Sequence, residues 1–161
     1  MAKDKISKTN AMRILDRGNV SYAMREYDSS DGHIDGLAVA HKVGKNPEEV
    51  FKTLVTVGHS KNYYVFVIPV AEELDMKKAA KSVSEKNIEM IHVKDINKIT
   101  GYIRGGCSPI GMKKNYKTRI HESAKELSMM IVSGGKIGLQ MDIAPIDFEK
   151  VIDVEFADII K

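Results

Sequence analysis

The chain has no tryptophan, only four prolines and a single cysteine, Cys107. One thiol cannot make an internal disulfide, so the fold must rest on apolar burial, and a reducing compartment is its natural setting. Neither a Cys-x-x-Cys nor a His-x-x-x-His pair occurs, which denies zinc its ordinary ligand spacing. No apolar run approaches the roughly 18–20 residues of a membrane-spanning helix. Residues 1–5 (MAKDK) lack the apolar segment of a secretory leader. The expectation is a cytoplasmic protein with no membrane partner. The Gly-Lys pairs at 44–45 and 135–136 lack the spacing of a phosphate loop, which argues against a nucleoside triphosphatase.

What is present is a globular composition: 161 residues, 43% hydrophobic and 29% charged. That length suits one domain, 1–161, with its own core. The net charge of +3 says little, but its distribution says more. Between Lys94 and Arg119 lie seven basic residues and one acid, leaving eighteen basic against twenty-one acidic residues elsewhere. The basic excess coincides with a glycine-rich stretch, Gly101-Tyr-Ile-Arg-Gly-Gly-Cys-Ser-Pro-Ile-Gly111, that runs on to Lys113 and Lys114. A second cluster, Ser133-Gly134-Gly135-Lys136-Ile137-Gly138, follows about one element later. Glycine lets backbone N–H groups approach a ligand closely. Such donors beside fixed positive charge suit a phosphate, a carboxylate or a developing oxyanion. The basic stretch fits a polyanion such as RNA, and equally a solvated face.

Periodicity and punctuation place the elements. A helix starts at Thr9 or Asn10, turns Ala11, Ile14 and Leu15 inward and stops at Gly18. Residues 20–27 read as extended, 36–44 as a helix through Leu37, Ala40 and His41, and 46–49 as a helical turn. Residues 50–57 and 63–69 read as a strand pair joined at 58–62. Asp75 caps a helix to about Val83. Residues 88–93 read as a strand, 94–99 as a short helix, and the chain to about Ile120 as extended or looped. A helical turn at 122–126 precedes strands at 129–132 and 139–144. A helix opened by Pro145 runs to Ile152, and 154–160 is strand then helix. The alternation predicts a mixed α/β domain around one sheet.

Lys52 interrupts an apolar strand and shares a face with Leu54 and Thr56. It is either an ammonium aimed into a partly buried cavity or, more commonly, an edge lysine reaching water. Cys107 has no histidine partner legible in the sequence and reads best as a small buried hydrophobe. Asp142, in the strand 139–144, is either a receptor for a substrate amine or one of the solvent-facing residues that alternate there with Leu139, Met141 and Ile143.

Taken in order, these segments resemble the YbaK/EbsC family of editing domains, which deacylate mischarged tRNA. The carriers are Phe51-Lys52-Thr53-Leu54 after a Gly-x-x-Pro turn, Leu74-Asp75-Met76-Lys77-Lys78-Ala79-Ala80, Thr100 to Gly111 with Lys113-Lys114, Val132 to Leu139, and Phe156-Ala157-Asp158-Ile159. The order and spacing hold from about Tyr27 onward. The pattern is most similar to the free-standing branch acting on cysteinyl-tRNA bearing the proline or cysteine tRNA.

The resemblance implies a compact mixed α/β domain with a barrel-like, strongly curved sheet and flanking helices. It implies Lys52 as the catalytic residue, with no metal and no cofactor. It implies a substrate pocket of Tyr27, Thr53, Gly101, Gly105, Gly106, Ser108, Pro109, Ser133, Gly134, Gly135 and Asp142. Lys113, Lys114 and Lys136 would contact RNA. The partner would be mischarged tRNA, with prolyl-tRNA synthetase as a second candidate. The alternatives are a deacylase for another small amino acid, such as alanine on the proline tRNA, and a module that binds tRNA or a synthetase without catalysis. Three positions depart from the family pattern. Cys107 stands where many relatives are apolar, Asp35-Gly36-Leu37 where they often have Phe-Gly-Asp, and Ile137 where arginine is common.

Overall fold

The computed structural model describes residues 8–161, so the leader expectation drawn from residues 1–5 lies outside the described residues. Helix α1 is Asn10–Arg17. Thr9 caps it by accepting the Met12 N–H, and Ala11, Met12 and Leu15 are buried. Strand β1 is Tyr22–Glu26, and α2 is Gly36–Lys42, capped by Asp35. A 3₁₀ turn, Pro47–Glu49, leads into β2 (Phe51–Gly58), which pairs with β3 (Tyr63–Pro69) as a hairpin. Helix α3 is Met76–Ser82, β4 is Ile88–Met90 and α4 is Ile96–Thr100. After the glycine-rich loop come β5 (Lys117–His121), β6 (Met130–Ser133), β7 (Leu139–Ile143) and β8 (Val154–Ala157).

The strands form two sheets, ordered β1-β7-β6 and β4-β2-β3-β5-β8. The smaller is antiparallel throughout, whereas β3, β5 and β8 run parallel. The central strand β3 shows why its sequence is apolar without alternation. Val65 and Val67 enter the main core, and Tyr64, Phe66 and Ile68 enter a second core under α3. A strand covered on both faces needs no polar side. The main core is closed by Met130, Val132, Met141 and Ile143 of the small sheet, by α1, and by Phe148.

The elements match the expected mixed α/β order, with corrections. The barrel-like sheet is not formed: both sheets are open, and a single parallel bridge, Val50 to Ile131, joins them. The span before Ile120, read as extended or looped, contains a full strand, β5. Its Lys117-Thr118-Arg119 start disguised it, because Thr118 and Arg119 are buried with their polar groups satisfied. The Arg119 guanidinium donates to the carbonyls of Ser82 and Thr118 and pairs with Glu155. Strand β4 stops at Met90, and a 3₁₀ turn, Val93–Asp95, precedes α4. The segment after Pro145 is 3₁₀ over Pro145–Lys150 rather than α, and β8 is followed by a bridge from Ile160 to Leu74 instead of a helix. Helix α2 buries Val39 and Ala40, leaving Leu37 and His41 exposed.

Phe148, fully buried in the main core where the 3₁₀ turn packs on it, should be costly to truncate. Phe148→Ala is expected to lower unfolding free energy by roughly 3–5 kcal/mol, measured by urea denaturation against wild type.

Candidate active site

Strand β2 carries the site because its outer edge serves two neighbours. Pairing with β4 covers Thr56 to Gly58, with one further hydrogen bond from Ile91 N–H to the Val55 carbonyl. The bridge to β6 lies at Val50. Between these points, residues 51–54 have no strand partner on that edge among the described residues. A cleft of about 620 Å³ opens there, and Lys52 and Thr53 lie on its wall.

Three elements complete the cleft. The loop after β1 supplies Tyr27, Ile34 and Asp35, the glycine-rich loop supplies Arg104, Gly105 and Cys107, and the β6–β7 hairpin supplies Ser133 and Gln140. The first loop is held by Lys42, whose ammonium donates to the carbonyls of Asp28 and His33 and to Asp31 Oδ1. The same ammonium lies 6.0 Å from the Tyr27 ring centroid. The other two loops press on one another. A Cβ at Gly106 would stand 2.8 Å from Ile137 N and 2.9 Å from the Lys136 carbonyl carbon, and only glycine permits that approach.

The cleft concentrates unmet polarity. The buried side-chain polar atoms without a hydrogen-bond partner among the described residues are Tyr27 Oη, Thr53 Oγ1 and Gln140 Oε1, and all three residues line this cleft. Each such atom costs roughly 1–3 kcal/mol when left dry and unpaired. Lys52 is partly buried, and its ammonium forms no ion pair or hydrogen bond among the described residues. A depression of about 510 Å³ beside α3 is lined by Lys77, Lys81 and Lys86, but holds none of these unpartnered atoms.

The cleft therefore gathers Lys52, Tyr27, Thr53, Gly105 and Ser133 from the expected set. The others lie outside its lining. Gly101 ends α4 with φ at 86°. Ser108 is fully buried, and its hydroxyl accepts from the Ile110 N–H. Gly106 and Gly134 are buried, and the Gly134 N–H donates to the Leu139 carbonyl within the hairpin while the Gly134 carbonyl accepts from Thr9 Oγ1. Gly135 packs near Tyr102 and Thr9. Pro109 borders a smaller hollow with Lys113 and Lys114. Asp142, 7% exposed, is gripped by Arg25 through Nε at 2.7 Å and Nη2 at 2.8 Å. Lys113, Lys114 and Lys136 are exposed, whereas Arg119 of the basic stretch is buried and committed to its own contacts.

Sequence reading passed over Gln140, Asp35 and Arg104 as wall residues. Gln140 gave no signal of its own, because it alternates with Leu139 and Met141 as a solvent-facing residue would, and only the structure shows the strand buried throughout.

Cys107 lines the cleft, but burial pushes its thiol up to about 11. At neutral pH the thiol is then held protonated, which disfavours it as a nucleophile. No histidine lines the cleft. The Ser123–His121–Asp158 contact lies elsewhere. Ser123 Oγ is 2.9 Å from His121 Nδ1, and that nitrogen also accepts the Ser123 N–H as a local cap. Asp158 is 3.6 Å from Nε2 and is paired with Lys78. Among the described residues, no group of three His, Cys, Asp or Glu side chains could hold a metal ion.

Residues 36–151 match the sequence profile of the aminoacyl-tRNA editing domain. The chain belongs to that family. Its substrate class is aminoacyl-tRNA, and tRNA is the macromolecule it meets. The chain is 46% identical over 160 residues, 99% of its own length and 98% of the other, to EbsC of Enterococcus faecalis, which is named as a candidate Cys-tRNA(Pro)/Cys-tRNA(Cys) deacylase. Two solved structures share the fold. A candidate trans-editing enzyme for prolyl-tRNA synthetase superposes with a TM-score of 0.81 at 20% identity, covering 98% of this chain and 99% of that one. The hypothetical protein APE2540 gives 0.86 at 15%, covering 95% and 100%. No helix among the described residues is long and apolar enough to cross a membrane.

The loop-to-loop contact yields a test. Gly106→Ala meets backbone rather than a flexible side-chain tip, so it should cost about 1–3 kcal/mol through forced displacement. Chemical denaturation measures the loss, and a neutral result would show that the loops part easily.

Proposed function

We propose that the protein, acting as one domain and as a free-standing trans-editing enzyme, clears Cys-tRNA(Pro) and Cys-tRNA(Cys) by cleaving the aminoacyl ester. The observation that carries this reading is the cleft at the open edge of β2, lined by a lysine and three buried polar atoms that have no side-chain partners among the described residues. A ligand rich in oxygen and nitrogen would satisfy them. The 46% identical relative named for this reaction supports the choice of acyl group.

The chemistry follows from what the wall offers. With no histidine in the cleft and a protonated Cys107, the nucleophile is best supplied by the substrate. The cysteinyl sulfur attacks its own carbonyl carbon, forming a C–S bond. The ester C–O bond breaks, and the ribose oxygen leaves with the proton that the thiol has given up. The products are free tRNA and a cysteine thiolactone, which water later opens.

The protein's share is to hold the reactive conformer and to stabilise charge on oxygen. Lys52 neutralises the phosphate end or the leaving oxygen. Gly105 brings backbone to the wall of the same space. Lys113, Lys114 and Lys136 supply sequence-blind phosphate contacts whose strength falls with salt. Prolyl-tRNA synthetase is a partner that would deliver proline tRNA, since such contacts do not read sequence.

Two variants and one panel test this. Lys52→Ala should lower deacylation of Cys-tRNA(Pro) by about 100-fold or more, with a melting temperature close to wild type. Near wild-type turnover would defeat the assignment. Cys107→Ala should retain turnover within about threefold, since its thiol is held protonated. Its complete loss in a folded variant would point to a protein nucleophile instead. Wild type should act on cysteinyl-tRNA in preference to alanyl-, seryl- and prolyl-tRNA. Efficient removal of alanine would favour a water-driven deacylase, and binding without turnover would favour a recognition module.

A further inference from the structure

Three charged side chains line the cleft: Lys52, Arg104 and Asp35. Two cations suit the phosphate end of a charged tRNA. Among the described residues the carboxylate is the one anion on that wall, and it needs a different account. Asp35 caps α2, with its Oδ1 accepting the Ala38 N–H at 3.1 Å. Capping occupies one oxygen, and serine, threonine or asparagine would cap comparably. The cap therefore does not call for a negative charge, and no lysine, arginine or histidine pairs with Asp35 among the described residues.

A second acceptor borders the same space. Gln140 is 7% exposed and its Oε1 has no donor. It is fixed in the middle of the small sheet, opposite Arg25 on β1 and Ser133 on β6. A charged acceptor at the rim and a buried neutral acceptor in the wall match a ligand group with several donors and positive charge. A primary ammonium has three donors and no acceptor. An aminoacyl ester carries one such group, on its α-carbon.

We infer that Asp35 and Gln140 form an α-ammonium subsite, with Lys52 and Arg104 at the phosphate end. The inference rests on the deacylase reading above. The cleft then selects esters with a free α-amine. An N-acylated aminoacyl-tRNA offers an amide there, with one donor and no charge, leaving Asp35 and Gln140 unmatched. Peptidyl-tRNA is rejected on the same ground.

Steady-state deacylation by the full chain is compared on Cys-tRNA(Pro) and on the same tRNA carrying N-acetylcysteine. Wild type should favour the free amine by about tenfold or more in kcat/KM, the scale of a charge-assisted hydrogen bond near the surface. Asp35→Asn keeps the cap but removes the charge. It should lower kcat/KM for the free-amine substrate about tenfold and change that for the acetylated one less than about twofold, so that the preference collapses. Gln140→Met makes the same comparison from the buried side and stands in if the first variant misfolds. Equal wild-type rates on both substrates, or variants that slow both in parallel, would overturn the subsite while leaving the deacylase intact. A wild type that turns over neither substrate overturns the deacylase reading itself.

Discussion

The shape of the site follows from one strand edge being shared between two neighbours. Strand β2 pairs fully with β3 along one edge, but its other edge is divided between β4 at one end and the Val50–Ile131 bridge at the other. A strand cannot follow two diverging neighbours without leaving a stretch unpaired. That stretch is where Lys52 and Thr53 sit. Unpaired strand edges invite association with other chains, and proteins blunt them with charge or cover. Here a lysine and three converging loops do both, and the cover leaves a cleft instead of a seal.

The glycine-rich loops owe their composition more to each other than to a ligand. Gly106 lies against the backbone of residues 136 and 137. Gly135 approaches Tyr102 and Thr9, and Thr9 in turn donates to the Gly134 carbonyl from the start of α1. Tyr102 donates to the Ile110 carbonyl at 2.6 Å, closing the first loop on itself. These contacts tie the small sheet, the first helix and the loop into one support for Gly105, Cys107 and Ser133. A site held this way keeps its polar groups aimed without a ligand to organise them, and preorganised donors are the ones that stabilise developing charge.

The sequence made the elements legible where periodicity was strong, and it hid what only packing decides. The hairpin β2–β3, the capped helices and the β6–β7 turn were all readable from alternation, caps and glycine. Strand β5 was legible only as extended or looped chain, because a run of lysine, threonine and arginine looks solvated until Ser82 and Glu155 are seen to satisfy the arginine. Lys52 stood out as a charge in an apolar strand, though its surroundings did not. Gln140 and Asp142 looked equivalent by alternation and differ by partner: Arg25 answers the aspartate and nothing answers the glutamine. Several glycines and Ser108 were chosen by motif for a ligand, whereas their close contacts are internal. Motif residues shared by relatives mark the frame as readily as the pocket.

Selectivity under the proposed reaction is better sought in chemistry than in fit. Cysteine and proline differ little in bulk, and a single methylene in an apolar pocket is worth only about 1–3 kcal/mol. A cleft of about 620 Å³ is roomy for a small acyl group and must also admit the tRNA end. Steric exclusion is therefore a weak sieve. A mechanism that draws its nucleophile from the substrate discriminates differently, because a proline, alanine or serine ester lacks the thiol and has no equivalent attack available. The wall then has no need of an acid–base dyad, and it shows none: its cysteine is kept protonated by burial, its lysine is free to meet oxygen, and its remaining polar atoms wait for donors and acceptors that a charged tRNA end carries. Under that proposal the surface lysines would add affinity that does not depend on which amino acid is attached. Affinity and choice would then be separated in space, with tRNA identity entering through the phosphate-facing side or a delivering partner.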